Sequence, residues 1–253
     1  MKKIKYISIF LLFAVAFSSC KDETSAPTPE PAEEVQEISF SVSNQANGEE
    51  IDFLNSTYTL PSSEEIIISR LAYILADFIL VKDDNSEIIL DDQYVLINPK
   101  FAAPKFTLKN IPKGNYKSIK FSLGLDSSIN HGDPSKYDVE HPLSPVNNSL
   151  HWSWTGGYIF AAIEGKLKSD NSSFIFHLAG SQNKLDYELT LPFEKKVNAL
   201  RATMEMNFDE IFKNPETYSL ANDGMGTHST TDAVTTKLFG NMGDIFTITE
   251  IKE

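Results

Sequence analysis

Apolar and polar residues alternate with a period of two through much of the chain. Ile119, Phe121, Leu123 and Leu125 share one side of an extended chain, and Lys120 and Ser122 share the other. Phe174, Phe176 and Leu178 alternate with Ile175 and His177. Leu185, Tyr187, Leu189, Leu191 and Phe193 alternate with Asp186, Glu188 and Thr190, and Leu200, Ala202, Met204, Met206 and Phe208 with Arg201, Thr203, Glu205 and Asn207. Successive side chains of a strand point to opposite faces, so these stretches are predicted as half-buried antiparallel strands. Weaker strands are predicted at 37–43, 66–81, 87–97 and 104–109, with turns at Lys82-Asp83-Asp84-Asn85 and Pro112-Lys113-Gly114-Asn115. Helix signals are scarce. Asp209–Lys213 has room for one turn before Pro215, and Ser229-Thr230-Thr231-Asp232 has the form of a capping box. It predicts a helix over about 231–242, with Val234, Leu238 and Phe239 on one side. The fold class expected from this pattern is all-β: an antiparallel two-sheet β-sandwich over 37–253 with a short C-terminal helix.

Residues 150–165 carry both tryptophans of the protein, Trp152 and Trp154, beside His151. On an extended backbone the two indoles share a face, with His151 and Ser153 opposite. Gly156-Gly157 then breaks the strand or admits another backbone closely, and Tyr158-Ile159-Phe160 resumes an apolar run. The plainest reading is a core strand whose indoles fill the middle of the sandwich. The 25 residues 126–150 precede it without strand periodicity and carry His131 and His141. Long connections in compact domains tend to be functional or disordered, and this one is expected to fold over the tryptophan strand and bring His131 toward His177.

The N-terminus changes the setting. Met1-Lys2-Lys3-Ile4-Lys5 is basic, and the apolar run 7–17 has the length of a signal-peptide core, too short to span a bilayer. Phe17-Ser18-Ser19-Cys20 resembles a lipobox, with Phe17 in place of the commoner leucine, so residues 1–20 read as a lipoprotein signal peptide with Cys20 the lipidated residue. Cys20 is the only cysteine, which excludes disulfides, thiolate metal sites and cysteine nucleophiles from the folded domain. Residues 21–36 are proline-rich and acidic, an extended solvated tether, and Lys21-Asp22-Glu23 is similar to a Bacteroidetes surface-export signal. The whole chain has a formal net charge of −13, which becomes more negative when Lys2, Lys3 and Lys5 leave with the leader. Such a surface repels nucleic acid.

These segments together resemble the MbnP family, extracytoplasmic proteins associated with methanobactin operons and their lipoprotein relatives. The resemblance is carried by Phe121–Asp126, Asn130-His131 with Asp133-Pro134, His141-Pro142-Leu143, and His151-Trp152-Ser153-Trp154 with Gly157–Phe160 and Glu164-Gly165. It continues through Phe176-His177-Leu178 to His228-Ser229. At Ala179-Gly180-Ser181 the chain departs, because relatives often carry a nearby cysteine. The resemblance implies copper as cofactor and a di-haem, peroxidase-like partner that oxidises a tryptophan to kynurenine. Either Trp152 or Trp154 answers to that tryptophan. Intact indole offers only an N–H donor, whereas kynurenine exposes an aromatic amine and a ketone. With imidazoles these suit copper, a good match for nitrogen ligands.

The candidate metal ligands are His131, His177, His151 and His228. His131 and His177 match family positions and come first. His228 precedes a helix start, where a structural role explains it nearly as well, and His151 serves equally as an orienter of the tryptophan strand. His141, beside Pro142, reads as structural. The sequence contains no H-E-x-x-H, nucleophile elbow, phosphate loop or dinucleotide fingerprint, so the chain is not expected to be an enzyme and any site must be assembled by the fold. The alternative is a surface glycan- or protein-binding module that exposes Trp152, Trp154 and Tyr158. Glycan binding requires indoles on an open face, and a metal or redox role requires an indole beside histidines.

Overall fold

Each of the four clear alternations forms a strand, and the apolar side of each points into a space between two sheets. The computed structural model describes residues 35–98, 104–153, 155–191 and 199–252. The predicted signal peptide, Cys20, residues 21–34 of the tether and Trp154 lie outside these. One sheet has the order Phe246–Lys252, Ala199–Asn207, Val35–Ala46, with Lys105–Pro112 and the short Glu49–Glu50 pairing onto the last. The other has the order Leu185–Thr190, Tyr116–Leu123, Glu65–Lys82, Gly157–Leu167, Ser173–Ala179, Gly226–Thr227. Short strands at 58–59, 87–89 and 95–97 pair with the long strand Glu65–Lys82, and His151–Ser153 pairs with Gly157–Leu167.

The sheets meet through aromatic rings. Phe246 of the first sheet packs against Tyr73, Phe121 and Tyr187 of the second, with centroids 5.7, 5.5 and 5.0 Å away. Phe106 of the first sheet stacks on Phe40 at 4.7 Å and reaches Phe78 of the second at 5.8 Å. Tyr73 also donates its hydroxyl proton to Asn44 Oδ1 across the sandwich at 2.9 Å, which satisfies a fully buried phenol.

The sandwich is mixed, and here the expectation of a purely antiparallel architecture is corrected. Val35–Ala46 runs parallel to Ala199–Asn207, and Ser173–Ala179 runs parallel to Gly226–Thr227. Period-two alternation fixes which face a residue occupies but is the same for either strand direction. A parallel neighbour also requires a long crossover, and most of the second sheet lies between residues 46 and 199.

The C-terminal helix spans Ala233–Asn241, and its N-cap is Asp232, whose side chain accepts the Thr235 N–H. Ser229 instead accepts the N–H groups of Thr231 and Asp232 in the turn before the helix. After the helix comes Phe246–Lys252, an edge strand absent from the sequence expectation. The single turn expected at Asp209–Lys213 is a 3-10 helix over Phe208–Phe212.

Residues 158–163 are buried on both faces of their strand, and an outer cover is needed as well as the facing sheet. The 126–150 connection supplies it. It folds into short turns of helix at Ser127–Asn130, Pro134–Lys136 and Pro145–Asn148. Its Leu143 and Leu150 are fully buried, and the Leu143 carbonyl accepts the Tyr158 hydroxyl at 2.7 Å.

Candidate functional site

A row of polar side chains crosses the outer face of the second sheet, and strand register places each of them. Arg70 on the long strand is directly opposite Glu164. Glu164 lies two residues from Ala162, the cross-strand partner of His177, so Glu164 and His177 are diagonal neighbours on one face. The parallel pairing aligns Ile175 with Gly226 and Phe176 with Thr227, and the next step brings His177 alongside His228. In-register residues of parallel strands point the same way, which is why the two imidazoles meet edge to face at 4.7 Å.

His177 is half-buried and His228 exposed. Glu164 Oε1 is 2.7 Å from Arg70 Nη1 and 3.0 Å from His177 Nε2. Burial raises the Glu164 carboxyl, and the hydrogen bonds and positive charge of His177 and Arg70 more than reverse this, leaving it below its ordinary value. Arg70 Nη2 donates to the Ser149 carbonyl at 3.2 Å and ties the row to the end of the connection. His177 Nδ1 is buried and has no hydrogen-bond partner among the described residues. Trp152 is half-buried at the edge of the core, its ring centroid 6.3 Å from that of His228. This is the indole-beside-histidine arrangement rather than an indole in the middle of the sandwich.

His228 owes its position to the helix start. Thr227, buried, donates its hydroxyl to Asp232 Oδ2 at 2.7 Å and lies 3.1 Å from the Thr235 hydroxyl, which clamps the residue before His228.

The other histidines are held elsewhere. Asn130, fully buried, accepts the Tyr158 N–H at 2.7 Å and donates to Ser181 Oγ at 3.1 Å, with its Nδ2 3.4 Å from His131 Nε2. Gly157 makes this approach feasible. It has φ +71°, and a Cβ there would be 2.6 Å from Asn130 Oδ1. His131 is exposed and sits beside this junction, where Asn130 reaches Ser181, a residue four positions along the chain from His177. His151 packs edge-on against Tyr158 at 4.6 Å, and burial lowers its pKa. His141 stacks on Tyr137 at 4.3 Å and accepts the Leu143 N–H at Nδ1, the structural role read for it from the sequence. Thus His177 meets His228, whereas His131 lies beside Asn130 and His151 against Tyr158. Among the described residues no three His, Cys, Asp or Glu side chains form a ready metal cage. Tyr158 is fully buried, which removes it from the exposed aromatics of the binding-module alternative.

A sequence model of the MbnP family matches residues 35–230. The chain belongs to the MbnP family. That family is extracytoplasmic. Among solved structures the fold is similar to MbnP from Methylosinus trichosporium, with a TM-score of 0.59 at 16% identity over 85% of this chain and 98% of that chain. At that identity the likeness speaks to the fold. No curated protein matches the chain. The family match takes in all five histidines and both tryptophans and ends before the helix and edge strand that close the domain. Among the described residues no helix is long and apolar enough to cross a membrane.

Sequence reasoning did not single out Arg70 or Asn130. Arg70 did leave a signal, as the one charge inside the apolar run Ile66–Ala76. Asn130 left none beyond its place in the family pattern, because its role depends on two partners distant in sequence.

Proposed function

We propose that this MbnP-family protein is a lipid-anchored envelope protein, tethered through Cys20, that binds copper through His177 and His228 with Trp152 as the oxidisable neighbour. The observation that carries the reading is the meeting of the two imidazoles at 4.7 Å beside an indole 6.3 Å from the second ring. Imidazole nitrogens suit copper, and His177 Nδ1 is a nitrogen without a partner among the described residues. Two histidines make an incomplete site, and opening of the Trp152 ring would supply an amine and a ketone beside them. Copper would act there as the resident metal, and this chain's residues bind and orient it. His228 is exposed and Trp152 half-buried, which leaves the indole within reach of a di-haem, peroxidase-like protein acting from outside. His131 and His151 become flanking groups in this reading.

Copper titration of the wild type against His177→Ala, His228→Ala and His131→Ala tests the assignment. The first two are expected to lose more than about tenfold in affinity, or about 1.4 kcal/mol, and the third to lose much less. Equal affinity in the wild type, His177→Ala and His228→Ala would remove the pair from the site. Peptide mapping of protein purified from its own host locates the oxidised tryptophan. Modification at Trp154 with Trp152 intact would overturn the choice of Trp152.

A further inference from the structure

His177 has two nitrogens in different circumstances. Nε2 lies 3.0 Å from Glu164 Oε1, and Nδ1 is buried without a hydrogen-bond partner among the described residues. An ionised carboxylate only accepts, so the nitrogen that faces it carries the proton, and in a neutral ring the other nitrogen is left with a bare lone pair. Glu164 is itself fixed, since Arg70 Nη1 donates to the same oxygen at 2.7 Å and the guanidinium is braced by the Ser149 carbonyl. The geometry is therefore that of a carboxylate that orients an imidazole from behind.

We infer that Glu164, held by Arg70, is a positioning residue that sets the tautomer and ring orientation of His177, so that Nδ1 is the atom offered to a metal. The inference rests on the copper reading for its purpose, yet its first consequence is read without any metal. Three strands each contribute one member, Arg70, Glu164 and His177, and strand register keeps them on one face. Loss of the carboxylate leaves Nε2 without its acceptor, and the ring is then free to exchange tautomers.

The test uses nitrogen NMR of the metal-free protein at a pH where the ring is neutral. The wild type is expected to show a protonated Nε2 and a bare Nδ1 on His177. In Glu164→Ala the two tautomers mix and copper affinity falls about 10–100-fold. Glu164→Gln, whose side-chain carbonyl still accepts from Nε2–H, restores the wild-type tautomer and most of the affinity. A merely structural role for Glu164 would leave the tautomer unmoved. The inference is overturned by a wild-type His177 protonated at Nδ1, a result that needs no variant to fold. It is overturned equally by an unchanged tautomer and unchanged affinity in Glu164→Ala. Equal copper affinity in the wild type and His177→Ala overturns the metal reading itself, whereas a copper-binding His177 protonated at Nδ1 overturns only the assignment to Glu164.

Discussion

Asn130 shows how much a single buried amide can organise. Its oxygen accepts the Tyr158 N–H and its nitrogen reaches Ser181 Oγ, so one side chain pins the long connection to a strand and to the turn that follows the neighbouring strand. Replacement by alanine would strand a buried backbone donor, a loss that typically costs about 1–3 kcal/mol. Asn130→Ala is therefore expected to lower unfolding free energy by about that amount in urea denaturation. It should also loosen the connection over Tyr158, seen as faster amide exchange at residues 157 and 158. Full protection of those amides in the variant would show that the connection is held by its apolar contacts, chiefly Leu143 and Leu150, instead. Glu164 acts at the same scale, as one side chain that holds another, His177, at 3.0 Å.

At the scale of elements, the helix cap and the second imidazole are one problem. Asp232 accepts from the Thr235 N–H and the Thr227 hydroxyl, and the strand residue Thr227 precedes His228. Burial raises the Asp232 carboxyl, but these hydrogen bonds outweigh it and the net pKa is lowered. A carboxyl depressed on folding adds stability above its unfolded value, about 3.9, and loses it as pH falls through the lower folded value. Asparagine caps helices nearly as well but has no charge to titrate. Asp232→Asn is thus expected to be less stable than the wild type near neutral pH by the worth of the charge alone, about 0.3–1 kcal/mol at a helix N-terminus. The gap should close in acid, once Asp232 of the wild type is protonated. Denaturant melts of both proteins at neutral pH and well below pH 4 measure the gap at each end. A gap of constant size would mean that the charge of Asp232 does not contribute to the cap.

For the whole molecule, two sheets face one another through Phe246, Phe106 and their partners, and the site lies on the outer face of one of them. The core therefore does not have to open for a partner to approach. Anchoring through Cys20 is the part of the proposal that belongs to this scale. Cys20→Ala is expected to move the protein from the membrane to the soluble fraction on fractionation of the host, with the copper affinity of the purified domain unchanged. A variant that stays with the membrane as tightly as the wild type would refute the anchor.

Much of this protein was legible in its sequence, because side-chain period is a property of the chain alone. Alternation over 119–125, 174–178, 185–193 and 200–208 marked the strands that run over 116–123, 173–179, 185–190 and 199–207, and it put His177 opposite Phe174, Phe176 and Leu178. The MbnP resemblance, carried by short motifs such as Asn130-His131 and His151-Trp152, was legible for the same reason. Strand partners and directions were not, since a period of two is the same beside any neighbour. Two parallel pairings, the burial of Tyr158 beneath the connection, and the row from Arg70 through Glu164 to His177 belong to the tertiary structure. His177 and His228 are half a hundred residues apart in the chain, and only the register of one short parallel pair sets them side by side.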